Sequence, residues 1–147
     1  MKNKTIRLII VIAIIIIVMD QLSKFLLTNY LKESIGNSIF KLEIVENTGM
    51  AFGFNEGNTK NIFLMIVVLA MMISFIKKQI ERIDKKTAIS LAMAIGGGIS
   101  NLIDRIFRGY VLDFIKIYKF PVFNIADAFV IIGWILLIIF LIDFSKK

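Results

Sequence analysis

Asp113 and Asp127 stand fourteen residues apart in the most apolar surroundings of a 147-residue chain, within Tyr-Val-Leu-Asp113-Phe-Ile and Phe-Asn-Ile-Ala-Asp127-Ala-Phe. An uncompensated carboxylate in such a setting costs several kcal/mol. The chain has no histidine and no cysteine, so acid–base or nucleophilic chemistry falls to carboxylates, lysines or hydroxyls. Two carboxylates that face each other away from water cannot both ionise easily, and they titrate as a coupled pair. The ionised member can take a proton from water while the protonated member polarises a carbonyl or protonates a leaving amine. The same inventory excludes a Ser-His-Asp triad and a His-based or thiolate zinc site, and the chemistry calls for no metal and no cofactor. A Ser-Lys dyad stays formally open, although adjacent Ser23 and Lys24 point in different directions on a helix and Ser100 has no lysine near it in sequence. Each aspartate also has a plainer reading. Asn124 and Asp127 match a helix N-cap with an acid three positions on. Asp113 matches a strand residue facing water, against which its neighbours Leu112, Phe114 and Ile115 argue.

The elements that position this pair follow from composition. At 58% hydrophobic residues and a mean hydropathy of +0.83 the chain is too apolar for a soluble protein of this size. One domain fits the length, and a membrane-crossing helix needs about 20 mostly apolar residues. The sequence predicts a single integral membrane domain over 1–147, with transmembrane helices at about 6–28, 61–77, 87–106 and 121–143. Counted from Pro121, Asp127 would lie about 9 Å along the fourth helix. Lys2, Lys4 and Arg7 precede the first apolar run as they would in a secretory signal, but no small-x-small cleavage site follows. The run therefore reads as a retained anchor.

Between the first two helices, Ile39 to Ile44 alternates apolar and polar residues as a half-buried strand does. Between the last two, Val111, Asp113, Ile115 and Ile117 share one parity. The expected fold class is a mainly α membrane protein, four transmembrane helices with a small extracytoplasmic β subdomain. The chemistry belongs where the sheet meets the helix ends. Gly36, Gly49, Gly53 and Gly57 make the segment 34–61 a mobile cover for the aspartates.

Charge gives the orientation. Four crossings place both termini on one side with the 77–86 loop. That side holds ten basic residues (Lys2, Lys4, Arg7, Lys77, Lys78, Arg82, Lys85, Lys86, Lys146 and Lys147) and three acidic ones (Glu81, Asp84 and Asp143). This surplus accounts for the whole net charge of +7. Positive loops lie in the cytoplasm, and no basic patch is left over for nucleic acid. The short basic loop itself reads as a topology signal in contact with lipid headgroups.

Three further groupings bear on the bundle. Asp20 and Lys24, four apart with the acid first, suit an intrahelical ion pair or a direct part in binding. Ala88, Ala92, Gly96 and Ser100 form a small-residue stripe that lets helices approach closely in a membrane. Asn101, Asp104 and Arg105 share the outer end of that helix and must point into the bundle. There they either brace it or hold substrate backbone, with Arg105 able to make a two-pronged contact to a carboxylate. Beside a peptidase, the pattern leaves room for a small proton-coupled carrier that uses the paired aspartates as a relay. A non-catalytic anchoring protein built on the stripe is also open, but it leaves the embedded aspartates unexplained.

Five motifs in order cover nearly the whole chain: Asp20-x-x-x-Lys24, Asn47-Thr-Gly49-Met-Ala51-Phe52-Gly53, Gly97-Gly98-Ile-Ser-Asn101-Leu-Ile-Asp104-Arg105, Gly109-Tyr-Val111-Leu-Asp113-Phe114 and Phe123-Asn124-Ile-Ala126-Asp127. Together they resemble the lipoprotein signal peptidases (signal peptidase II). Ser100 is a departure, since members often carry glycine there. The resemblance implies an intramembrane aspartyl endopeptidase of the bacterial plasma membrane. It would remove the signal peptide from diacylglyceryl-modified prolipoproteins, cutting before the lipidated cysteine. Asp113 and Asp127 match the family's catalytic pair. Asp20, Lys24, Asn47, Gly49, Asn101, Asp104, Arg105 and Asn124 match positions that shape the pocket and hold substrate backbone. The implied partners are the lipidated prolipoprotein, membrane lipid and inhibitors of the cyclic peptide globomycin type, with the enzyme a monomer.

Overall fold

A computed structural model describes residues 2–49 and 58–144. The motif residues Ala51, Phe52 and Gly53, and Gly57 of the expected mobile cover, lie outside the described residues. In chain order the elements are α1 (Lys2–Tyr30), β1 (Ile35–Gly36), β2 (Phe40–Asn47), α2 (Asn58–Gln79), α3 (Lys85–Phe107), β3 (Val111–Ile117) and α4 (Ile125–Phe144). Among the described residues, Lys2–Tyr30, Thr59–Gln79 and Lys85–Phe107 are long and apolar enough to cross a membrane. Ile125–Phe140 is a shorter apolar helix. The protein is thus a mainly α membrane protein with four helices and a small sheet, as the composition implies.

α3 is the axis of the bundle and packs against α1, α2 and α4. Its small residues set how near the others come. A Cβ on Gly96 would stand 2.9 Å from Ala13 Cα of α1, and one on Gly97 would collide with the Ala126 carbonyl of α4. Further along the same seam, a Cβ on Gly133 would lie 2.8 Å from Ala94 N and Ser90 O. The core gathers around these contacts, with Leu91, Ala92, Ala94 and Ile95 of α3 between Ile9, Leu69 and Leu137. α1 turns the opposite character outward: Ile10, Ile14, Ile15 and Val18 are exposed on the protein's surface, a face suited to lipid. α3 begins where Asp84 caps it, its side chain accepting from Thr87 N at 2.8 Å.

The sheet is antiparallel in the order β1-β2-β3. Leu42 pairs with Ile115 and Val45 with Asp113, so β2 carries one extra residue between them, a bulge. The turn from α3 into β3 uses Gly109 at φ +85°, a conformation open to glycine at no steric cost. After β3 the chain doubles back, and Phe123 forms a bridge with Ile115 through Phe123 N→Ile115 O at 3.0 Å and Ile115 N→Phe123 O at 2.8 Å. That bridge keeps Pro121–Phe123 extended. α4 therefore starts at Ile125, four residues later than the hydrophobic pattern suggested, and Asp127 lies in its first turn rather than deep along it.

Candidate active site

The bridge between Ile115 and Phe123 has a direct consequence for the two aspartates. It folds β3 against the start of α4, so residues far apart on an extended chain converge on Asn124. The Asn124 amide donates to Asp113 Oδ1 at 2.7 Å. Its backbone N–H donates to Asp127 Oδ2 at 3.3 Å, and its Oδ1 accepts from Asp127 N at 2.8 Å. This reciprocal pair is a helix-capping arrangement, so the plainer reading of Asn124 and Asp127 is also correct. The cap is what holds Asp127 beside Asp113.

Each aspartate has a second donor. Asn47 on β2 donates to Asp113 Oδ2 at 2.8 Å, and Asn101 on α3 donates to Asp127 Oδ1 at 2.7 Å. Asp113 is 1% exposed, whereas Asp127 is partly exposed and lines a groove. Burial above all, and then the charge of Asp127, push the Asp113 carboxyl up from 3.8 to about 7. The hydrogen bonds from Asn47 and Asn124 and the positive charge of Lys24 pull the other way.

The groove has a volume of about 840 Å³ and runs from the aspartates between α2 and α4. Leu64, Met65 and Val68 of α2 face Val130, Ile131 and Trp134 of α4 across it, with Asn101 and Arg105 of α3 at the polar end. Asn47, Gly49, Asn101, Arg105, Asp113 and Asp127 all reach its wall. Arg105 donates to Thr48 O at 3.3 Å and to Gly49 O, so it ties the end of β2 to the bundle. Asp20, Lys24, Asp104 and Asn124 do not line the groove; they are fully buried behind it. Lys24 bonds Asp20 at 2.6 Å and Asp104 at 2.7 Å. The intrahelical pair read from spacing is therefore one arm of a three-residue ionic cluster that joins α1 to α3. Ser23 and Lys24 form no dyad, because Ser23 donates to Met19 O at 2.7 Å while Lys24 faces the interior. Ser100 gives its hydroxyl proton to Asp20 Oδ2 at 2.8 Å rather than to Lys24.

Two residues here escaped the sequence reading. Asn61 lines the groove and donates to Thr48 O at 3.3 Å. Gln21 reaches Ser100 and Asp104 at 3.1 and 3.0 Å. Asn61 could have been found from its place on one helical face with Leu64, Met65, Val68 and Met72.

Residues 12–143 carry the sequence signature of signal peptidase (SPase) II. The chain belongs to the signal peptidase II family. It is also similar to two solved structures, each described as a bacterial membrane enzyme determined by the in meso method. One, at 2.3 Å resolution, is 31% identical with a TM-score of 0.84, over 95% of this chain and 90% of that one. The other, at 1.9 Å, is 30% identical with a TM-score of 0.78, over 90% of this chain and 91% of that one. Family membership makes this chain a membrane peptidase of lipoprotein signal-peptide cleavage. The motif resemblance read from Asp20 to Asp127 is thereby established as kinship.

Proposed function

We propose that the protein is an aspartyl endopeptidase that uses Asp113 and Asp127 to cut diacylglyceryl-modified prolipoproteins before the lipidated cysteine. One observation carries this: Asn124 holds both carboxylates at the polar end of an apolar groove. Asp127 is the more exposed of the two on the groove, where it meets water, which suits the ionised member. Asp113, pushed to about 7, carries the proton. Asp127 takes a proton from water as the water oxygen bonds to the scissile carbonyl carbon, and Asp113 gives its proton to the carbonyl oxygen. The tetrahedral species then returns a proton to Asp113, the C–N bond breaks, and Asp127 passes its proton to the departing amine. No metal or cofactor enters these steps.

Asn47, Gly49, Asn101 and Arg105 line the groove and hold substrate backbone. Asp20, Lys24, Asp104 and Asn124 shape it from behind. The apolar walls take acyl chains and the hydrophobic signal segment, and a globomycin-type cyclic peptide occupies the same space. The surplus of basic residues at the 77–86 end sets both termini in the cytoplasm of a bacterial plasma membrane. The aspartates then lie at the extracytoplasmic face, and the enzyme works as a monomer. The test is a synthetic diacylated lipobox peptide incubated with the purified protein, with and without globomycin. The expected result is a globomycin-sensitive cut before the lipidated cysteine. An intact peptide, with Asp127-dependent proton flux into liposomes, would replace this reading with a carrier.

A further inference from the structure

The largest fully buried side chain among the described residues is a cation that no proposed catalytic step uses. Lys24 is 0% exposed, as are Asp20 and Asp104. An ammonium has three N–H donors, and the three acceptors around Lys24 match that number: Asp20 Oδ2 at 2.6 Å, Asp104 Oδ2 at 2.7 Å and Asn101 Oδ1 at 3.2 Å. No donor is left for a substrate.

The two carboxylates hold backbone N–H groups in turn. Asp104 Oδ2 accepts from Leu112 N at 3.2 Å, and Asp20 Oδ1 accepts from Ala126 N at 3.0 Å. Leu112 and Ala126 each immediately precede one of the paired aspartates. The Ala126 N–H lies in the first turn of α4, where no intrahelical acceptor exists. Lys24 also acts through Asn101, whose Oδ1 takes hydrogen bonds from both Lys24 and Asn124. Two donors on one oxygen fix which end of the amide is which, so the Asn101 NH₂ must point at Asp127.

We propose that Lys24 is a positioning residue that sets the separation and protonation of the Asp113–Asp127 pair, through Asp20, Asp104 and Asn101, without touching substrate. This rests on the reading of that pair as the catalytic one. The competing role is bulk stabilisation. Buried ion pairs are often replaceable by apolar residues without loss of stability, so stability is the wrong quantity to follow. The informative ones are kcat and its pH profile. Asp113 is faced by Asn47 from β2, Asn124 and Asp127 from the start of α4, Arg105 from α3 and Lys24 from α1. Lys24 and Arg105 are the cations of that set, and loss of Lys24 leaves the Asp127 charge less opposed.

The first measurement is hydrogen exchange in the unaltered protein, which needs no substrate and stands apart from the peptidase reading. The Leu112 and Ala126 amides are expected to exchange about 100-fold or more slowly than unstructured ones; exchange at the unstructured rate overturns the proposal. The second is cleavage of the diacylated peptide by Lys24→Met and by Lys24→Met with Asp104→Asn. The double variant keeps the cluster's net charge at its original −1, leaves Asp20 its donors from Ser100 and Ala126, and leaves an oxygen for Leu112 N–H. Misplacement of the pair predicts kcat lower by about 100-fold with KM within about threefold, and an acid limb moved to higher pH. A folded variant that loses only thermal stability, with unchanged kcat and pH profile, overturns it.

Discussion

The two sides of α3 are built to different standards. Toward α1 and α4 it is packed backbone to backbone, while toward α2 it meets flexible side chains across an open groove. Burial inside the protein reaches 61% of α3's apolar window but 11% of α2's. Neighbouring glycines show the contrast at a single step of the helix. A Cβ on Gly97 would run into the Ala126 carbonyl, with Val130 Cγ2 at 2.7 Å, whereas a Cβ on Gly98 would meet only Leu69 Cδ2 at 3.3 Å. Asp113 and Asp127, the proposed reacting carboxylates, are tied through Asn124 and Asn101 to the closely packed half. The groove opens toward the half that can yield, which suits the proposed entry of an apolar substrate segment.

The comparison fails outright if the rigid half is not where the chemistry lies. Asp113→Asn and Asp127→Asn are each expected to lower cleavage of a lipidated peptide by about 10³-fold or more, with the helical circular-dichroism signal retained. Retained turnover in either folded variant would break it.

Next in size is a pH effect confined to the rigid half. The Asp113 carboxyl is raised from 3.8 in the unfolded chain to about 7. The neutral form that the fold favours contributes stability fully below pH 3.8, and that contribution is lost as pH rises to about 7. Across that window the protein should lose up to about 4 kcal/mol relative to Asp113→Asn, read by denaturant unfolding in detergent at a series of pH values. A difference that does not change with pH would contradict the buried setting.

The glycine pair sharpens the contrast. Gly97→Ala is expected to destabilise by about 1–3 kcal/mol through overpacking against α4, with a fall in kcat as Asp127 shifts. Gly98→Ala should cost less than about 0.5 kcal/mol, since Leu69 can rotate away. Equal costs would mean the two faces are equally rigid. The smallest effect belongs to the groove wall. Met65→Ala should change KM by about threefold at most and leave kcat and the thermal midpoint unchanged.

Much of this was legible in the sequence, and the omissions share a cause. The four helices and the sheet follow from apolar runs and alternating residues, because those patterns are local. The start of α4 was misplaced because it depends on the Ile115–Phe123 bridge, a contact between segments. Asp20 and Lys24 could be paired by spacing, but the joining of Asp104 to the same ammonium depends on how α1 and α3 pack. Asn124 could be read as a cap, while its bond to Asp113 required β3 to fold back upon it. Asn61 and Gln21 carried no motif, and only the direction of their helical faces set them apart.

The extra residue in β2 also decides which charge Asp113 meets. Paired strand residues share a face, and a one-residue slip moves every side chain to the other. In the observed register Val45 lies opposite Asp113 and Asn47 opposite Val111, which lets the Asn47 amide reach Asp113 diagonally. Continuation of the Leu42–Ile115 register with no bulge would put Ile44 opposite Asp113 and Glu46 opposite Val111, in the place of Asn47. A donor would give way to a third carboxylate, and the pair could no longer share a single proton between two acids. The bulge is therefore an electrostatic selector: by counting residues, it admits the neutral neighbour and turns the charged one away.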